Sequence, residues 1–395
     1  MATSLLKKQS KDRRSAAAKG GQPTGLVFQR DPRRAIRSRW NRLRAAKTPA
    51  VITALAVGLV AAILWSVAVG QFGASAGQSL RSLAHIVTGF GEATSLDVLL
   101  WEVRLPRVSL AAIVGAGLAI SGLALQAVFS NPLAEPGLIG VSSGAAVGAS
   151  LATVLSTASA AGALGLSSAG LAAILASNWT IAVAAFVGGI AATAVVAASA
   201  RGSRDIARII LVGVAVNAVC GGIVAFLTYI ASTTARDRIV FWQMGSFASA
   251  DWSQVGIILA LTTPAAALLW ALAPKLDTLS LGESQAQHLG INVVALRRVV
   301  IAIAALVVAA GVAFSGIIVF IGLVVPHALR LLIGPGHRAL VPACFLGGAL
   351  AATLADLAAR ALITGTDLPL GMLTSIVGGP IFFWLLIRSD RSVKH

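Results

Sequence analysis

The chain has 395 residues, 57% of them hydrophobic and only 11% charged, with a mean hydropathy of +0.87. Soluble domains carry about a quarter charged residues. Several runs of roughly 20 residues hold no charge here, which reads as membrane-spanning helix and excludes a soluble domain. The net charge of +17 does not mark a nucleic-acid binder, because most of it sits in one segment.

That segment is the beginning. Residues 1–47 hold 14 of the 31 Lys and Arg against two acids, Asp12 and Asp31. A basic stretch before a first span predicts a disordered cytoplasmic tail that orients the protein and touches anionic headgroups. Ala74-Ser75-Ala76 resembles a cleavage site. The apolar run at 51–69 and the stretch before it are both too long for a secretory signal, so a retained helix is expected.

Apolar runs then predict helices at 51–69, 107–128, 137–158, 179–200, 206–230, 253–273, 298–314, 317–333, 339–361 and 370–388. The runs do not alternate as β-barrel strands would. The 40 glycines fit helices that approach closely in lipid. Cys220 and Cys344 fall in apolar runs and read as small buried hydrophobes, with no metal-ligand spacing.

Charge sets the expected topology. Residues 136–200 hold no charge. Two spans there, with Gly/Ser-rich residues near 161–177 as an outer extension, put Arg201, Arg204 and Arg208 on the tail side. The expected architecture is an all-α integral membrane protein of about ten spans, with 48–395 as the spanning domain and both termini cytoplasmic. Arg81, Arg104, Arg107, Arg236, Arg238 and Arg360 then fall outside.

Sliding the chain by 194 residues brings "GLAISG" (117–122) onto "GVAFSG" (311–316), Arg104 onto Arg298 and Pro132 onto Pro326. With Arg104 outside and Arg298 inside, the two units, roughly 104–230 and 298–388, are expected to be inverted. A substrate path between inverted repeats is a common transporter plan.

"FSNPLAEPGLIG" (129–140) interrupts this apolar chain. Asn131 and Pro132 stop a helix, and Pro136 resets the chain for the next one. One reading places Asn131, Pro132, Glu135 and Pro136 beside a pathway or its inner gate, since broken backbone at membrane depth must be buried or line water. The other is a plain turn with Glu135 in the headgroups. Pro326 and His327, matched to this segment by the slide, invite the same two readings. No G-x-x-x-x-G-K-[ST] occurs, so the chain offers no phosphate-cradling loop, and scattered histidines make no catalytic set. Asp356 is the one acid well inside an expected span. It lies four residues before Arg360, within reach of an i,i+4 pair. Ion-coupled secondary transport, which would need more such acids, is the alternative class.

"WEVRLPRVSLAAIVGAGLAISGLALQAVFSNPLAEPGLIGVSSGAAVG" (101–148) resembles the core signature of the FecCD-type permeases. These are membrane subunits of ABC importers for iron-siderophores, haem and vitamin B12. "GESQAQHLGINV" (282–293), "FSGIIVFIGLVVPHALRLLIGPGHRALVP" (314–342) and "ADLAARALITGTDLPLGMLTSIVGGPIFFWLL" (355–386) agree in order. The resemblance implies a homodimer in the bacterial cytoplasmic membrane, two cytoplasmic ATPase subunits that hydrolyse ATP, and an extracytoplasmic binding protein. No cofactor is expected on this chain.

It also implies that the loop 273–298 docks the ATPase, through Gly282, Glu283, Ala286, Leu289 and Gly290. Leu279, Leu281, Ala286 and Leu289 are expected to form one apolar face there. Arg104, Arg107 and Arg360 would pair with acids on the binding protein, or else snorkel at the headgroups. Ferric siderophore is the cargo expected first, then haem, for which His327 would be a transient contact, then vitamin B12.

Overall fold

A computed structural model describes residues 32–69, 75–89, 94–156, 177–199, 206–363 and 366–393. The chain divides into two units, Met1–Leu43 and Arg44–His395. Among the described residues every regular element is helical: α1 Pro32–Ala68, α2 Ala76–Thr88, α3 Ser95–Leu99, α4 Leu105–Val128, α5 Val141–Leu155, α6 Asn178–Ser199, α7 Ile206–Ile230, α8 Thr233–Met244, α9 Trp252–Leu279, α10 Glu283–His288, α11 Val293–Ser315, α12 Ile321–Ile333, α13 His337–Ala361 and α14 Leu370–Val393. Pro32 opens α1, whose first residues fall within the stretch read from sequence as a disordered tail; proline is at home in a first turn. Residues 1–31 of that tail, and 161–176 of the expected outer extension, lie outside the described residues.

Among the described residues seven helices are long and apolar enough to cross a membrane: Lys47–Ala68, Ser95–Val128, Asn178–Ser199, Ala207–Ile230, Trp252–Leu279, Val293–Ser315 and His337–Ala361. Ser95–Val128 joins α3 to α4 through a π-helical turn at Leu100–Arg104. Three shorter apolar helices, Val141–Leu155, Ile321–Ile333 and Leu370–Trp384, complete the apolar set. The membrane character shows in what faces outward. Val214 and Phe226 on α7 and Trp65 on α1 are exposed apolar or aromatic side chains, a costly arrangement in water and the ordinary one in lipid.

α4 is the central helix and packs against α9, α11, α12 and α13. Missing side chains let it do so. A methyl group added to Gly115 would lie 2.3 Å from the Gly348 carbonyl oxygen, and one on Gly117 would lie 2.7 Å from Val307. On Gly122 it would lie 1.8 Å from the Gly322 carbonyl oxygen. The same device joins α5 to α6, where Gly144 and Gly148 meet the Gly188 and Ala184 carbonyls at 2.4 and 2.0 Å by the same measure. Lipid supplies no hydrophobic drive between helices, so close backbone packing of small residues holds them together.

Several expectations from sequence are corrected here. Pro326 lies inside α12, whereas Pro132 lies in the turn after α4, so the two prolines are not structural equivalents and the ungapped slide loses register past the glycine motif. Pro326 removes the N–H that would bond to the Gly322 carbonyl four residues back. That carbonyl instead packs on Gly122. α9 continues to Leu279 past Pro264 and Pro274, so the expected 273–298 loop begins later. Finally, Leu279 and Ala286 are buried while Leu281 and Leu289 are 62% and 67% exposed. The single apolar face predicted for these four is split, because α10 spans only six residues and both exposed leucines lie just outside it.

Candidate functional site

Three polar constellations stand out against the apolar bundle. The first is an open cleft of about 960 Å³ along α5, α7 and α8. Its floor is the broken segment between α4 and α5. Asn131 caps its own turn by accepting from the Leu133 N–H at 2.9 Å, and Pro132 is exposed. Pro136 is buried and opens a single 3-10 turn, Pro136–Ile139. Gly140 has φ 78°, a left-handed conformation that suits glycine, and starts α5.

Asn217, in the middle of α7, secures this floor. Its Nδ2 donates to the Gly137 carbonyl at 3.0 Å, and its Oδ1 accepts from the Ser143 hydroxyl. The Gly137 carbonyl, which also accepts from the Gly140 N–H at 3.1 Å, thus has both its donors inside the bundle, one of them reaching across from α7. Glu135, Ser142, Ser143 and Asn217 line one end of the cleft, and Thr228, Tyr229, Arg236 and Gln243 the other. From Asn217 to Tyr229 is 12 residues of helix, about 18 Å at ~1.5 Å per residue. The cleft therefore extends through much of an apolar layer about 30 Å thick. Burial raises the Glu135 carboxyl above the usual carboxylate range, because the low-dielectric surroundings penalise its charged form.

The second constellation joins one end of the bundle. Arg107 is paired with Asp356 at 2.9 Å and with Asp367 at 2.6 Å. Arg360 donates from Nε to the other Asp356 oxygen at 3.1 Å, and also reaches the Ser66 carbonyl and hydroxyl. Arg104 is 4% exposed and donates to the Val67 carbonyl at 2.8 Å. All three arginines expected to face a partner are thus held by groups of this chain, and they tie the ends of α1, α4 and α13 together. The i,i+4 pair between Asp356 and Arg360 is present.

The third constellation is at the opposite end, around α10. Glu283 is ion-paired with Arg297 of α11, and Ala286 is fully buried. Gly282 and Gly290 have φ of 117° and 80°, so both bends use a backbone region that side chains resist. The Asn292 side chain caps α11, accepting from the Ala295 N–H at 3.0 Å. α10 is thereby anchored to the bundle on one face, and Leu281 and Leu289 flank it on the outside.

Pro326 and His327 join neither the cleft nor α10. His327 is 7% exposed, and neither ring nitrogen finds a hydrogen-bond partner among the described residues. Nearby, Arg330 donates to the Gln126 side chain at 2.9 Å, which fastens α12 to α4. Sequence reasoning missed Asn217, Arg236 and Gln243 as cleft residues. Asn217 carried a signal, since it is a lone carboxamide inside an apolar span, and polar groups there tend to be functional.

The profile of the FecCD transport family matches residues 58–388. The hemin transport system permease protein HmuU of Yersinia pestis is 40% identical over 300 residues, covering 75% of this chain and 86% of that protein. The vitamin B12 import system permease protein BtuC of Escherichia coli O157:H7 (strain EC4115 / EHEC) is 38% identical over 297 residues, covering 75% and 85%. Among solved structures, a metal-chelate type ABC transporter in an inward-facing conformation aligns with a TM-score of 0.73 and 31% identity, over 86% of this chain and 99% of that one.

Proposed function

The chain belongs to the FecCD transport family, and on that premise we propose that it is the membrane-spanning permease subunit of an ABC importer for a bulky metal chelate. The observation that carries this reading is α10. It is fixed to the bundle by Ala286 and the Glu283–Arg297 pair, and it is flanked by exposed apolar side chains. A lever of this kind transmits a push from a separate ATPase through packed contacts. In this reading the α10 end is cytoplasmic, both termini lie there, and ATP is hydrolysed by two partner subunits.

The cleft is the pathway. It is open along one side, so a second copy of the chain would close it and place the path on a two-fold axis. All ten apolar helices are then spans, with α5 and α12 shortened because each begins after broken backbone within the bundle.

The inverted repeat belongs to the same reading and is supported by matched contacts. Gly117 of α4 meets Val307 of α11, and Gly311 of α11 meets Val114 of α4. Gly115 meets Gly348 of α13, while Ala309, its counterpart at the 194-residue offset, meets Gly189 of α6. Gly188 touches Gly144 and Gly148 of α5, and Gly347 touches Val325 and Leu329 of α12. Thus α4, α5 and α6 correspond to α11, α12 and α13, with gaps the slide did not allow.

The cargo class rests on relatives whose names carry hemin and vitamin B12; a ferric siderophore is the third member tested. Purified permease in sealed vesicles, with its ATPase and binding protein, should take up chelate only when ATP is supplied. Titration of the binding protein with haem, vitamin B12 and ferric siderophore identifies the cargo. Uptake that follows an ion gradient and ignores ATP would overturn the reading in favour of a secondary transporter.

A further inference from the structure

A second cavity, separate from the cleft, lies between α6, α7 and α11. It measures about 430 Å³ and is lined by apolar side chains such as Ile190, Val196, Ile209, Ile301 and Leu306. Among the described residues Arg297 and Arg298 are its only charged lining residues. A smaller hollow walled by Ala194, Ala197, Ala198 and Arg298 lies beside it. All three helices belong to the apolar set long enough to span a membrane, so lipid is the medium at its mouth.

Three observations converge on one occupant. The first is length. The groove follows α11 from Val294 to Leu306, which is 12 residues or about 18 Å at ~1.5 Å per residue. That matches one leaflet, about 15 Å of hydrocarbon. The second is charge. Arg297 is compensated by Glu283, whereas Arg298 is exposed and no acid lines the groove among the described residues, leaving a net positive end. The third is an unmet donor. Arg297 is 5% exposed, and its Nε is buried with no hydrogen-bond partner among the described residues. A buried charged donor left open is costly.

We propose that this groove binds one anionic phospholipid of the leaflet on the α10 side. Its phosphate pairs with the exposed Arg298 beside the Arg297 guanidinium, and one acyl chain lies along α11. Because Arg297 also holds Glu283, the lipid contacts the residue that fastens α10 to the bundle.

The test uses the purified full chain in detergent and native mass spectrometry, with phosphatidylglycerol and phosphatidylcholine of identical chains offered together. Phosphatidylglycerol should be retained in preference. Arg298→Gln, an exposed position, should lower that preference about five-fold, the effect of about 1 kcal/mol per basic residue at an anionic surface. Ala302→Trp, which fills the groove mouth, should reduce retention of both lipids. Inorganic phosphate should not compete, since it brings no acyl chain. Thermal melting confirms that each variant is folded. Equal retention of the two lipids, unchanged preference in Arg298→Gln, or displacement by phosphate would overturn the proposal. So would a wild-type dimer that carries no lipid, which would assign the groove to a second copy. No ATPase or transport step enters the measurement, so its failure leaves the importer reading untouched.

Discussion

The Asn217 side-chain amide donates to the Gly137 carbonyl at 3.0 Å, across 80 residues of sequence. This bond fixes the floor of the cleft to the wall of the cleft. Losing it removes a tertiary hydrogen bond inside an apolar bundle, at about 0.5–1.5 kcal/mol, while the Gly140 N–H still holds the carbonyl. Asn217→Leu should therefore lower the melting temperature and reduce ATP-driven uptake. Asn217→Gln, which keeps the amide but moves it by one methylene, should recover part of the stability and little of the uptake. A melting temperature equal to wild type in Asn217→Leu would remove Asn217 from this role.

Asp356 carries a heavier burden. Its carboxylate is 2% exposed and sits between Arg107 and Arg360. Truncation leaves two guanidinium groups buried with one compensating charge fewer, which costs about 3–5 kcal/mol when a buried pair is broken. Asp356→Ala should give little folded protein. Arg107→Glu should also lose folded yield, because it faces the same acid. The docking of a binding protein through these arginines is consequently testable only with a folding control. A variant that keeps its melting temperature yet loses binding-protein capture, most at low salt, would assign the arginines to docking; unchanged capture across ionic strengths would discard it.

The glycines of α4 permit a paired prediction. Gly122→Ala places a methyl group 1.8 Å from the Gly322 carbonyl oxygen, so α4 and α12 must separate. A destabilisation of about 1–3 kcal/mol is expected from such overpacking. Gly221→Ala on α7 meets nothing within 4 Å and should be neutral or gain up to about 1 kcal/mol from helix propensity. Thermal melts of the two variants side by side check the difference in sign.

These cases also show where sequence was readable and where it was not. The apolar helices were legible because charge is sparse in them, and the break at 129–140 was legible because Asn131, Pro132 and Pro136 each have a local reason to stop or restart a helix. The Asp356–Arg360 pair was legible from its spacing of four. The Arg107–Asp356 pair joins residues 249 apart, and no local pattern announces it, so the sequence offered Arg107 only as a docking or snorkelling group. Pro326 does lie inside the helix expected at 317–333, and only its pairing with Pro132 failed. Proline stops a helix in water-exposed chain, but in a membrane bundle a neighbour such as Gly122 can receive the freed carbonyl.

Glu135 should make stability depend on pH. Burial raises its carboxyl in the folded state, so the ionised form is the less favoured one there. The contribution is most favourable below the unfolded carboxylate range and is lost as pH rises through the raised folded value. The wild-type melting temperature should therefore fall relative to Glu135→Gln as pH increases from acid toward neutral. A constant difference between the two across that range would mean that Glu135 is as solvated in the bundle as in the unfolded chain.

The last prediction separates the two roles packed into α10. Ala286 has no exposed surface, and Leu289 is 67% exposed three residues later. Placing a charge at each tests different contacts. Ala286→Asp buries a carboxylate against α9 and α11, where the buried Arg297 is already held by Glu283; folded yield should collapse. Leu289→Asp puts the same charge on the outside, where water receives it. The permease should melt within about 0.5 kcal/mol of wild type, as surface changes do. Yet if the ATPase grips this helix, an apolar contact at the centre of that grip is lost, and such contacts commonly carry 2 kcal/mol or more of binding. Co-purification of the ATPase should weaken roughly 30-fold, the affinity change that ~2 kcal/mol represents, and uptake should fall with it. Retained co-purification and uptake in a folded Leu289→Asp variant would place the ATPase elsewhere, and α10 would then be only a clamp between α9 and α11.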